Sequence, residues 1–89
     1  MKYKYYGPIS EKQLKDEMEN WTLYDNLFLY KRKLYYFQHE PGSERYNVGV
    51  ANSLKDEENW SYPDFESVME ATFLDGKPFR DLLPDLDWY

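Results

Sequence analysis

The sequence predicts an α+β fold: a helix, a three-stranded antiparallel meander, then one longer and one short C-terminal helix packed on the sheet. Three observations predict it. A capped amphipathic helix is written into residues 9–21. Three apolar, aromatic-rich runs separated by short polar connections fill residues 27–51. Helical spacing returns after Pro63. At 89 residues the chain is read as one small domain, 1–89.

Taken in order, the segment "KYKYY" (Lys2 to Tyr6) alternates as a short strand would, and Gly7-Pro8 stops it. The first helix is expected from Glu11 to Asn20. Ser10 and Gln13 have capping-box spacing, and Ile9 stands to Leu14 as a hydrophobic staple. Leu14, Met18 and Trp21 then trace one apolar stripe. "WTLY" (Trp21 to Tyr24) extends the first strand or leads into it. The strands are Leu27 to Tyr30, Leu34 to His39 and Arg45 to Ala51. They are joined by Lys31-Arg32-Lys33 and by the loop "EPGSE". The second helix is placed at Pro63 to Thr72, with Asp64 and Glu66 at its positive end and Phe65, Val68, Met69 and Thr72 on one face. Asp75-Gly76 is a turn, either between helices or within a small hairpin. "PFRDLL" (Pro78 to Leu83) reads as a short helix ended by Pro84, and the aromatic tail "DLDWY" is expected to dock.

If the first hairpin loop has three residues and the second has five, Tyr30 opposes Leu34 and His39 opposes Arg45. One sheet face then holds Phe28, Tyr30, Leu34, Tyr36, Tyr46, Val48 and Val50 and carries the helices. The other holds Leu27, Leu29, Tyr35, Phe37, Asn47 and Gly49, and its apolar half needs cover from the chain or from a partner. A slip of one residue exchanges the faces.

The stretches "LKDEMENWTLYD" (Leu14 to Asp25) and "LKDEENWSYPD" (Leu54 to Asp64) share letters but not spacing. Leu14 and Trp21 are seven apart and lie on one helical face. Leu54 and Trp60 are six apart, roughly 120° around a helix. The likeness is therefore read as coincidence rather than duplication. The two N-W-[ST] sequons inside them, at Asn20 and Asn59, are read as inert, because "MKYKYYGPIS" lacks the apolar run of a signal peptide.

Composition narrows the function. With no cysteine there is no disulfide framework and no thiolate metal site, and a cytoplasmic location is expected. No run approaches the roughly 18 apolar residues of a membrane span. The single histidine, His39, has no second histidine at ligand spacing, and none of the serines sits in a nucleophile elbow. Neither catalysis nor a cofactor is expected. Net charge is −6 and unevenly spread: residues 1–45 carry +1 and residues 46–89 carry −7. Such a field repels nucleic acid and attracts basic surfaces. Basic residues cluster only at Lys31-Arg32-Lys33, so direct nucleic-acid binding is not expected.

The chain is accordingly read as a non-catalytic acidic protein-interaction module. Its strongest form is an inhibitor that mimics nucleic-acid charge on a basic, nucleic-acid-binding protein. The docking residues would be Asp56, Glu57, Glu58, Asp64, Glu66, Asp81 and Asp85, with Tyr35 and Phe37 on the second sheet face. The alternative is a structural or regulatory homodimer closing through the Leu27/Leu29/Tyr35/Phe37 face.

Overall fold

The computed structural model describes residues 7–20 and 27–89. The expected strand at Lys2 to Tyr6 and the "WTLY" segment lie outside the described residues, as does Trp21 of the helical stripe.

Helix α1 spans Glu11–Glu19. The Ser10 side chain accepts from the Gln13 backbone N–H, so the capping signal acts as its spacing predicts. Ile9, Leu14 and Met18 are buried. Strands β1 (Leu27–Tyr30), β2 (Lys33–His39) and β3 (Tyr46–Val50) form the expected antiparallel meander. Two strands escaped sequence reading: β4 (Asn59–Tyr62) and β5 (Asp87–Trp88). They complete a five-stranded sheet in the order β4-β3-β2-β1-β5. Gly7 pairs with Trp88 on the far side of β5.

Helix α2 is shorter than expected, Phe65–Glu70, and Asp64 caps it rather than opening it. Ala71 is extended, so Thr72 falls beyond the helix end. Asp75 and Gly76 both take positive φ, and Leu74 bridges Lys77, which decides for the hairpin over the helix–helix turn. Helix α3 is Phe79–Leu82, followed by a 3-10 turn at Leu83–Asp85 that contains Pro84.

The register corrects the assignment of the faces. Tyr30 opposes Lys33, not Leu34, because the β1–β2 turn has two residues. Lys31 (φ 48°) and Arg32 (φ 66°) both adopt the left-handed region that such a turn requires. The β2–β3 connection is also one residue off, and His39 opposes Tyr46. The two offsets cancel for β3, so only β2 is inverted. Tyr35 and Phe37 therefore face the helices, while Leu34 and Tyr36 face away.

Phe37 is fully buried at the centre of the core. Its ring lies 5.4 Å from Tyr46, 5.9 Å from Phe79 and 5.8 Å from Trp88. Phe28 lies against Tyr35, Phe79 and Trp88 on the same side. These aromatic rings join Leu14, Met18, Val68, Met69 and Leu86 in one cluster. Offset and tilted aromatic pairs of this kind add to the free energy of burial.

Where both stretches are described, the repeated letters differ in structure: Leu14 is fully buried on α1, whereas Leu54 is 98% exposed before a 3-10 turn at Asp56–Glu58.

The inverted register has a direct test. Phe37→Ala should cost about 3–5 kcal/mol, enough to unfold a small domain, because it empties the centre of the core. Leu34→Ala should cost less than about 1 kcal/mol, since Leu34 is already 38% exposed. Urea denaturation of both variants measures the contrast, and equal losses would contradict the register.

Candidate functional site

The seven carboxylates expected to dock a partner divide into two groups. Three do structural work. Glu58 accepts from the Ser53 hydroxyl at 2.7 Å and pairs with Lys33 at 3.3 Å. The Ser53 bond and then Lys33 hold its carboxyl below the ordinary range. Asp64 Oδ1 accepts from the Ser67 backbone N–H at 2.8 Å, and this cap lowers its pKa as well. Glu66 pairs with Arg80, whose guanidinium also reaches Glu11 at 3.1 Å. One arginine thus joins α1, α2 and α3.

The other four, Asp56, Glu57, Asp81 and Asp85, are exposed, and none forms an ion pair with a described residue. They do not converge. Asp56 and Glu57 lead into β4 at one sheet edge, Asp85 precedes β5 at the other, and Asp81 lies on α3, whose Phe79 packs over the central strands. Four interstrand intervals separate those edges, about 19 Å. Tyr35 and Phe37 are buried under the helices and cannot present a docking surface from where they sit. The outward face of the meander carries Leu27, Leu29, Leu34 and Tyr36 instead.

On that face Tyr36 crosses Gly49 to donate its hydroxyl to Asn59 Oδ1 at 2.6 Å. A Cβ at Gly49 would stand 2.9 Å from the Tyr36 ring and 2.8 Å from Asn59 Oδ1, so the crossing requires glycine. The Asn59 amide also donates to the Ser53 and Lys55 carbonyls. This sequon asparagine is engaged at both ends of its amide, and attaching a glycan there would break the contacts that shape the start of β4.

A second site comes from residues that lie far apart in the sequence. An open-sided cleft of about 310 Å³ lies between α1, the β2–β3 connection and the start of α2. Glu19, Glu44 and Asp64 reach it from three separate elements, and Lys15 is the one lysine or arginine among its described lining residues. His39 stacks on Tyr46 with ring centroids 4.6 Å apart, and its Nε2 lies 2.8 Å from the Ser43 carbonyl. Burial, with Glu19 adding to it, pushes the Tyr46 phenol up to about 12. Of the expected residues the cleft gathers Asp64 and Glu66. Sequence reading missed Glu19, Glu44 and Tyr46, because no local pattern marks residues that meet only in the fold.

At the other end of the sheet, Asp75 accepts from the Tyr30 hydroxyl and from Lys31 Nζ, both at 2.7 Å. These bonds hold its carboxyl below its ordinary value and raise the Lys31 ammonium. Among the described residues, no group of three or more His, Asp or Glu side chains is placed to hold a metal ion, and no helix is long and apolar enough to cross a membrane. No family model matches the chain, and comparisons with curated proteins and with solved structures return no match.

The lowered carboxylates set an acid limit on the fold. Their folded pKa values lie below the ordinary 3.8 of Asp75 and Asp64 and 4.5 of Glu58. The stability they give is therefore complete above those ordinary values and is lost as pH falls through the folded ones. Asp75→Asn should lower the urea midpoint at neutral pH and flatten its fall as the pH drops through and below the ordinary aspartate range. An unchanged acid slope would show that Asp75 does not clamp the turn.

Proposed function

We propose that the protein is a non-catalytic acidic interaction module that docks on a basic, nucleic-acid-binding protein, presenting carboxylates where that partner would otherwise meet phosphates. The observation that supports this most is the −7 balance of residues 46–89, with Asp56, Glu57, Asp81 and Asp85 exposed. Charges of this kind steer association and set specificity. About 19 Å between the β4 and β5 edges exceeds the Debye length of about 8 Å at physiological ionic strength, so Asp56 and Glu57 beside β4 and Asp85 beside β5 act as separate contacts.

The test uses the tagged protein as bait in a cell extract. Retention of a basic partner should fall at least about tenfold between about 50 and about 300 mM salt, and added duplex DNA should compete for it. Reversing Asp56 and Glu57, or Asp81 and Asp85, to lysine should weaken capture in each case, with additive losses in the fourfold variant. Capture indifferent to salt, to DNA and to all four reversals would refute the proposal.

A second reading is a homodimer closing through the outward sheet face. It is favoured by the shared outward side of Leu27, Leu29, Leu34 and Tyr36, of which Leu34 is exposed. Sedimentation equilibrium at tens of micromolar should then show a dimer that Leu34→Glu converts to monomer. A monomer at every concentration removes this reading.

A further inference from the structure

We propose that the cleft between α1, the β2–β3 connection and the start of α2 is an anchor pocket for one guanidinium group, an arginine side chain of the basic partner. This rests on the acidic docking reading above and names the point at which the partner is gripped.

The size fits one side chain. About 310 Å³ is the low end of the roughly 300–1,000 Å³ range of small-molecule sites. The chemistry fits a cation. Among the described lining residues Glu19, Glu44 and Asp64 stand against Lys15, while the charge of Glu66 is already met by Arg80. Asp64 is held by the backbone N–H and the side chain of Ser67 at the helix cap, which fixes its carboxylate beside the cleft.

The walls choose between cations. His39 and Tyr46 form a stacked aromatic wall, and Phe65 meets Tyr46 edge-on at 5.6 Å. A guanidinium is planar and weakly hydrated. It can lie against aromatic rings while its forked N–H groups bond carboxylates in its plane. An ammonium is compact and strongly hydrated, and gains less from an aromatic wall. The influence of Glu19 on the Tyr46 phenol shows that the negative potential reaches that wall.

The test is an NMR titration of the intact protein with N-acetyl-arginine amide, its neutral citrulline isostere and N-acetyl-lysine amide. Arginine amide should give saturable shifts confined to His39, Tyr46 and Phe65. Lysine amide should bind several-fold more weakly, and citrulline amide should not bind. Glu19→Gln with Glu44→Gln should weaken arginine binding several-fold; both positions are exposed, and circular dichroism confirms that the fold is kept. Citrulline binding as well as arginine, lysine binding as well as arginine, no saturation by about 50 mM, or shifts equally strong at Asp56 and Asp85 would each overturn the pocket. Partner capture that stays salt-sensitive in the Glu19→Gln/Glu44→Gln variant overturns the pocket while leaving the docking reading intact. Loss of capture in that variant supports both.

Discussion

Tyr30 faces Lys33 across a turn of two residues, and that pairing decides which side of β2 is inside. Side chains alternate along a strand, so one extra residue in the turn would send Tyr35 and Phe37 to solvent and bring Leu34 and Tyr36 into the core. The turn is an unlikely place for such a decision. Lys31 and Arg32 must both adopt left-handed backbone conformations that residues with a Cβ disfavour. Asp75 offsets that cost from a second tight turn, bonding Lys31 and the Tyr30 hydroxyl together. A cationic hairpin and an acidic hairpin thus hold each other, and the aromatic packing around Phe37 depends on the result.

This also explains what could be read in the sequence and what could not. The start of α1 was legible because a cap acts locally: Ser10, Gln13, Ile9 and Leu14 carry the whole signal within five positions. The docking of the aromatic tail was legible because Trp88 has no stable alternative to burial. The inner side of β2 was not legible. "KRK" gives no sign of the mirror-image turn that Asn-Gly would announce, and Leu34, Tyr35, Tyr36 and Phe37 are all apolar, so alternation cannot choose between faces. Strand β4 was hidden by its setting. Trp60 and Tyr62 alternate, but the acidic run before them resembles a solvated loop, and the four-residue strand becomes a strand only because β3 lies beside it.

The carboxylates teach a related lesson about sites. From composition alone they form one negative half. In the fold they have separate occupations. Asp64 caps a helix, Glu66 shares Arg80 with Glu11, Glu58 fastens a turn, and Asp75 clasps a hairpin. Surface pairs of this kind contribute little singly, but each also fixes a backbone position that a packed core needs. What remains for a partner is a smaller set, together with a cleft to which each half of the chain gives two carboxylates, Glu19 and Glu44 from the first, Asp64 and Glu66 from the second. Net charge located the field; only the fold could show where it has walls.

Trp88 is wholly buried, and its backbone is bonded to Gly7, eighty-one positions earlier, while it also pairs with Phe28 in β1. A ribosome makes residue 88 long after residues 7 and 28 have left the exit tunnel. Until then the β1 edge of the sheet stands open, and Phe28 and Phe37 lack the ring that packs against both of them. Native packing therefore waits for residue 88 to emerge, and until then the nascent chain carries exposed aromatic surface of the kind that chaperones bind.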